Sequence, residues 1–149
     1  MPQFSKTSQD KLAMAHPDLQ MIFNEVVKHY DCTIADTYRS KAAQHEFLLK
    51  GLSQIDYPTV HNTRPSWAVD CVPFLNGNIS YDDRQCMHFA GYVQAVADRL
   101  FEEGKITHKL RSGSTWGLPN HDVNHFSFKD PCHVELYPNP GDQLNYFET

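Results

Sequence analysis

Two histidines and an aspartate, His61, Asp70 and His133, are the residues of this chain with the clearest capacity for metal chemistry. Catalytic zinc commonly has three protein ligands, drawn from His, Cys, Asp and Glu, and leaves a fourth position for water. Spacing alone leaves plainer explanations open, because a loop histidine is usually solvated and a strand aspartate often caps a turn or pairs with an arginine. The three residues therefore form a candidate zinc site.

Two acidic residues bracket the last of these candidates. A metallopeptidase needs one carboxylate to handle the proton of water, and a second can orient a ligating histidine. Because side chains alternate along a strand, His133 and Glu135 should share a face, while Asp130 on the preceding turn should face the open site. Cys71 and Cys132 should point the opposite way into the core, and their ligation as thiolates is the minor alternative.

The surrounding pattern predicts the elements that position these residues. Hydroxyl residues within 4–8 predict the cap of a first helix before Leu12, and a second helix is predicted to begin at Pro17. Two more helices are predicted over 41–49 and 81–103, and predicted strands cover 32–38, 68–74, 110–113 and 133–137. The helix over 81–103 has a predicted apolar face made of Met87, Tyr92, Val93, Val96, Leu100 and Phe101.

The predicted connections include two long ones. Residues 53–67 are rich in Pro, Asn, Thr and Ser and predict an ordered loop. Residues 114–129 form a polar loop next to a strand, where substrate contacts are usually made. Its residues His121, Asp122 and His125 either contact substrate or only hold the loop in place. The tail, 138–149, is interpreted as a surface extension of little consequence.

Length and composition favour one domain over residues 1–149, because 149 residues of which 40% are hydrophobic can bury a single core. The net charge is -5 and the basic residues are scattered, which argues against nucleic acid as a partner. No apolar run approaches the length of a membrane span, so we expect no membrane insertion. We also expect a monomer. The cysteines form no Cys-x-x-Cys pair, which favours reduced and largely buried thiols.

Three motifs in order carry a family resemblance. The first is Tyr-Arg-Ser at 38–40 with Gln44 five residues after the arginine; the second runs from His61 to Ser-Trp-Ala-Val-Asp at 66–70; the third is Asp-Pro-Cys-His-Val-Glu-Leu at 130–136. With these motifs the chain resembles the family of D-alanyl-D-alanine carboxypeptidases and phage endolysins that shares the hedgehog/DD-peptidase fold. It is most similar to the L-alanyl-D-glutamate endopeptidase branch. The motifs span about two thirds of the chain.

The resemblance implies an α+β fold in which a small antiparallel sheet carries a zinc site and helices pack on the other face. It implies that His61, Asp70 and His133 bind Zn²⁺ and that Asp130 is the catalytic acid and base. Glu135 would support the site. Many relatives separate the ligating His and Asp by six residues, whereas eight intervene here, so His61 is the ligand that this departure puts in doubt.

The resemblance also assigns roles to residues around the metal. Arg39 would polarise the scissile carbonyl and stabilise the oxyanion, its alternative being a surface salt bridge. Trp116 would line the cleft, or else be a buried core residue. Gln44 and Ser66 belong to the same motifs and are expected either to support the site or to contact substrate.

The function implied is hydrolysis of the peptide stems of peptidoglycan, at the L-alanyl-D-glutamate bond, by a phage lysis enzyme. The N-terminus has no charged-then-apolar signal pattern, so we expect synthesis in the host cytoplasm and action on the cell wall after release. Two alternatives stay open. One is a D-alanyl-D-alanine carboxypeptidase or dipeptidase, and the other is a non-catalytic zinc-containing binding module of the same fold.

Overall fold

The fold is a mixed α+β arrangement, as the sequence predicts, and a computed structural model describes residues 2–117, 121–124 and 129–148. The described elements are α1 (Lys6–Leu12), α2 (Pro17–Val26), β1 (Cys32–Asp36), α3 (Lys41–Leu49), a 3-10 helix (Val60–Asn62), β2 (Ala68–Leu75), β3 (Asn78–Ile79), α4 (Asp83–Glu102), β4 (Leu110–Gly113) and β5 (Asp130–Leu136). The strands pair antiparallel in the order β1-β2-β5-β4, and β3 pairs with β2.

Helices α2 and α4 supply much of the core beneath this sheet. Helix α2 begins where its sequence predicts, because Pro17 occupies the first turn and the His16 side chain accepts a hydrogen bond from the backbone N–H of Asp18. Its residues Leu19, Ile22, Phe23 and Val26 are fully buried. In the part of the chain described, no helix combines the length and the apolar character needed to cross a bilayer.

The buried face of α4 differs in part from the predicted one. Val93, Val96 and Leu100 are buried as expected, but Met87 is only partly buried, and Tyr92 and Phe101 pack at the edge of the core. The remaining buried positions are Cys86, Phe89, Ala90 and Ala97. Small side chains contribute little to a hydrophobic pattern, so the sequence did not place them in the buried face. In the fold they allow the helix to pack closely, and the buried face of the helix therefore includes them.

Strand β5 begins earlier than predicted, at Asp130. Asp130 is therefore not on a turn but is the first residue of the strand, paired with Gly113 of β4. The pairing with β4 shifts between Ser112 and Gly113, beside Pro131, which has no N–H to donate to a ladder. Strand β1 also differs, since it ends at Asp36 after an irregularity that follows Ile34.

The loop over 53–67 and the C-terminal tail are packed together. The loop contains the 3-10 helix, which is fixed by reciprocal side-chain bonds between Thr59 and Asn62. The tail is mostly exposed, as a surface extension should be, but the backbone N–H of Phe147 donates to Asn62 O at 2.8 Å and that of Arg64 donates to Asn145 O at 3.0 Å. The prediction that the tail is of little consequence is therefore wrong, because these bonds stabilise the loop that carries His61.

A candidate metal centre and its pocket

Two neighbouring strands and one short helix bring the three predicted ligands together. Asp70 on β2 and His133 on β5 are directly paired across the strands, so their side chains leave the same face of the sheet. His61 comes from the 3-10 helix above that face, and the backbone N–H of Arg39 holds its carbonyl oxygen at 2.7 Å. His61 and His133 are buried, and Asp70 is partly buried.

The donor atoms of the three residues form a nearly equilateral triangle. His61 Nε2 lies 3.2 Å from His133 Nδ1 and 3.3 Å from Asp70 Oδ1, and His133 Nδ1 lies 3.1 Å from Asp70 Oδ1. Zn–N and Zn–O bonds of about 2.0–2.1 Å in a tetrahedral shell require donors about 3.3–3.4 Å apart. The triangle therefore has the size and the donor types that fit a zinc ion.

Partners on the far side of each histidine fix its orientation. His61 Nδ1 donates to Thr37 O at 2.7 Å, which leaves Nε2 as the nitrogen that faces the triangle. His133 Nε2 lies 2.8 Å from Glu135 Oε1, which leaves Nδ1 for the centre. Such partners are typical of ligating histidines, because they hold the ring and raise its basicity. The predicted shared face of His133 and Glu135 is confirmed.

The charges of the protein alone are strongly coupled at this site. Burial would raise the pKa of Asp70, but the charges and hydrogen bonds of His61 and His133 hold it far below its usual range. Burial opposes protonation of His133, yet its bonds to Asp70 and Glu135 raise its pKa to about 10. Burial and the charge of Asp70 raise the pKa of Asp130.

Arg39 is buried beside the triangle and is not part of a surface salt bridge, since only 7% of it is exposed. Its Nη2 lies 2.7 Å from Asp36 Oδ2 and 3.3 Å from Asp70 Oδ2, and its Nη1 donates to Gln44 Oε1 at 2.7 Å. The guanidinium also lies over the ring of Phe47, 4.1 Å from its centroid. These contacts fix the arginine at the end of the predicted strand region.

A pocket of about 320 Å³ opens onto the triangle. Its size is within the usual range for sites that bind small molecules or peptide groups. Arg39, Asp130 and Trp116 line it together with the three donors, and a second side is formed by residues of α3 and the loop that follows: Gln44, Phe47, Leu52, Ser53, Gln54 and Ile55. The expectation that Asp130 faces the open site, and that Trp116 lines the cleft, agrees with this arrangement.

Other predicted site residues lie outside this pocket. Ser66 is fully buried, and its Oγ donates to Thr37 O at 2.9 Å, so it supports the carbonyl that orients His61. His121 and Asp122 are not among the described residues that line the pocket, and His125 lies outside the described part of the chain.

The cysteines point away from the metal centre, as predicted. Cys71 lies in the hydrophobic core, and the Cys132 thiol faces helix α4, 3.8 Å from the thiol of Cys86.

A second cluster, formed by His16, Asp18 and His108, was not predicted from the sequence. Asp18 Oδ2 already accepts hydrogen bonds from the backbone and hydroxyl of Thr107 and from the backbone and Nδ1 of His108. Its lone pairs are thus occupied, and His108 Nε2 is bonded to Asp142 at 2.8 Å. This cluster joins α2 to the tail, and no local signal links residues so far apart in sequence.

Fold and site together define a class: α+β proteins in which an antiparallel sheet and a loop present a His-Asp-His donor set to a pocket holding a further carboxylate and an arginine. The chain belongs to the phage L-alanyl-D-glutamate peptidase family, whose sequence model matches residues 1–137. This confirms the resemblance seen in the motifs.

The chain is also similar to one curated protein in sequence and to one solved structure in fold. The chain is 29% identical over 139 residues to the L-alanyl-D-glutamate peptidase of Escherichia phage T5, with 90% of this chain and 97% of that protein covered. The crystal structure of the L-Ala D-Glu endopeptidase ChiX from Serratia marcescens has the same fold, with a TM-score of 0.65 at 22% identity, and 91% of this chain and 90% of the other covered.

Proposed function

We propose that this protein is a zinc-dependent peptidase that hydrolyses the L-alanyl-D-glutamate bond of peptidoglycan stem peptides in phage lysis. The observation that supports this proposal most directly is the donor triangle of His61, Asp70 and His133, which fits zinc and opens onto a pocket. Family membership and the activity for which the phage T5 relative is named indicate the bond. The substrate partner would be the cell wall, reached after release from the host cytoplasm.

Zinc bound at the triangle would supply Lewis-acid activation of a water molecule and of the scissile carbonyl. His61 and His133 would offer neutral imidazole nitrogens, and Asp70 a carboxylate oxygen. Thr37 O and Glu135 would keep the two rings aimed at the centre, as they do in the structure. The donor set leaves a fourth position for water, which is typical of catalytic rather than structural zinc.

Asp130 would act as the general base and then as the general acid. It lines the pocket beside the triangle from the first residue of β5, and burial raises its pKa, which favours a carboxyl group that can hold a proton for part of the cycle. It would take a proton from the attacking water and deliver it to the nitrogen of the leaving D-glutamate.

Arg39 would stabilise the negative charge that develops on the carbonyl oxygen. Its contacts with Asp36 and Gln44 hold the guanidinium in the pocket wall, so little reorganisation is required when the charge appears. Its contact with Asp70 also ties the arginine to the metal centre.

Digestion of purified peptidoglycan, followed by mass analysis of the new termini, tests this proposal. The expected products are glycan strands whose lactyl groups carry a single L-alanine, and peptides that begin with D-glutamate. The zinc-loaded protein should form them, and a chelator should prevent their formation. Release of free D-alanine would instead support a D-alanyl-D-alanine carboxypeptidase. Binding to the wall without any new termini would support a non-catalytic module.

A further inference from the structure

Three large apolar side chains are exposed at the end of α3 and in the loop that follows. Leu49, Leu52 and Ile55 are 71%, 68% and 60% exposed. Leu52 and Ile55 also line the pocket that holds the donor triangle, whereas Leu49 is not among the lining residues described. Exposed apolar groups beside a binding cleft indicate a surface that a ligand covers.

The apolar wall, which is the name used here for Leu52 and Ile55 with the backbone between them, has no regular secondary structure but is firmly held. The backbone N–H groups of Leu52 and Ser53 donate to Phe47 O at 2.8 and 3.2 Å. The Gln44 side-chain amide donates to Ile55 O at 2.6 Å and to Ser53 Oγ at 2.9 Å. A wall fixed before substrate arrives does not have to be ordered by binding.

The same Gln44 amide also holds the arginine of the site. Gln44 is fully buried, and its Oε1 accepts a hydrogen bond from Arg39 Nη1 at 2.7 Å. An amide offers one carbonyl oxygen and one NH₂ group, and here both sides are engaged. The position of the apolar wall is therefore linked through one side chain to the position of Arg39.

We propose that the apolar wall contacts the alanine side of the scissile bond and that Gln44 is the positioning residue that fixes this wall relative to Arg39. This inference rests on the proposed function. The choice of side follows from chemistry: the L-alanine methyl and the lactyl methyl that precedes it are apolar, whereas the D-glutamate side carries a free carboxylate. Covering that carboxylate with aliphatic side chains would remove its hydration without replacing it.

Steady-state kinetics with two synthetic substrates tests the contact. One is N-lactyl-L-alanyl-γ-D-glutamyl-L-lysine, and the other carries L-serine in place of L-alanine. Leu52→Asn and Ile55→Asn are compared with Leu49→Asn. Leu49 is a similarly exposed apolar residue, but it is not among the described residues that line the pocket. We expect kcat/KM on the alanine substrate to fall about tenfold in the two wall variants, mainly through KM, because about two methylene-sized contacts are lost.

The remaining comparisons sharpen this test. In the wall variants, kcat/KM for the serine substrate should fall about twofold or less. In Leu49→Asn, kcat/KM should stay within about twofold of the parent value for both substrates. Wall variants that behave like Leu49→Asn would overturn the inference. So would a change of oligomeric state in light scattering with an unchanged KM, since the wall would then be an interface between two copies of the chain.

The positioning role of Gln44 is tested with Gln44→Glu, which keeps an acceptor for Arg39 but turns a carboxylate oxygen towards Ile55 O. We expect KM for the alanine substrate to rise as in the wall variants, while zinc content and the pH dependence of kcat stay as in the parent. If this variant does not fold, Gln44→Asn makes the same comparison, because its amide is too short to reach Arg39 Nη1 and Ile55 O together. An unchanged KM in the folded variant overturns the positioning role.

Failure of this inference is distinct from failure of the proposed function. A parent protein that is loaded with zinc and cleaves neither synthetic substrate nor peptidoglycan contradicts the function itself. A parent that cleaves the alanine substrate, together with wall variants of unchanged KM, contradicts only the assignment of Leu52, Ile55 and Gln44.

Discussion

Gly113 stands where β4 meets the first residue of β5, directly opposite Asp130. A Cβ atom added at Gly113 would lie 2.0 Å from the backbone oxygen of Asp130 and 3.1 Å from its Cβ, whereas real Cβ contacts essentially never fall below 3.0 Å. The strands would therefore have to separate by about 1 Å, the difference between 3.0 and 2.0 Å. Asp70 and His61 would stay in place, because β2 and the 3-10 helix carry them, and His133 lies three residues further along β5 from the point of contact.

We therefore predict that Gly113→Ala lowers kcat/KM about a hundredfold, since a catalytic group misplaced by about 1 Å costs roughly that factor. Zinc content should stay at the parent level, and unfolding should require about 1–3 kcal/mol less, as overpacking usually costs. The assay is hydrolysis of the alanine substrate with zinc determined on the same sample.

Gly91→Ala is the matched control, because it lies in α4 with no atom within 4 Å of the added Cβ. It should keep full activity and gain up to about 1 kcal/mol of stability. A folded, zinc-loaded Gly113→Ala protein with parental kcat/KM would refute the reasoning that the place of Asp130 on β5 matters for catalysis.

Three further predictions concern the site and the fold. Asp130→Asn should lower kcat about 10²–10⁴-fold with zinc retained, because the acid/base is lost while the donor triangle stays; zinc loss on dialysis would instead make Asp130 a ligand. Glu135→Gln should weaken zinc binding about 10–100-fold in chelator competition, because His133 Nε2 loses its charged partner; unchanged affinity would contradict this support. His108→Gln should lower stability to urea more at pH 5.5 than at pH 9. Burial opposes protonation of His108, but its bonds to Asp18 and Asp142 raise its pKa, so its contribution to stability is full below pH 6.5 and is lost as pH rises through the folded pKa, whereas the contribution of Asp18, whose pKa is lowered, is lost only at acid pH. An equal loss of stability at both pH values would contradict this.

Much of the site was predictable because motif residues on strands have fixed relations to one another. Asp70 and His133 could each be assigned to a strand, and alternation placed Glu135 on the face of His133, whereas the direct pairing of the two strands is known only from the structure. Arg39 could be placed near the end of a strand region. These assignments depend on local periodicity, which the sequence displays directly.

The parts that could not be predicted depend on contacts between distant segments. The start of β5 at Asp130 is set by pairing with Gly113, and the role of Ser66 is set by its approach to Thr37 O. The anchoring of the tail on the loop that carries His61 likewise depends on backbone hydrogen bonds, which cannot be predicted from a pattern of side chains. Gln44 was attributed only to the site in general, whereas the fold shows which groups its amide joins.

Diffraction data collected on either side of the zinc absorption edge would test the central claim most directly. We predict one strong anomalous peak within about 2.0–2.2 Å of His61 Nε2, Asp70 Oδ1 and His133 Nδ1. A peak at the cluster of His16, Asp18 and His108 instead, or no peak at the triangle in crystals grown with zinc, would contradict it.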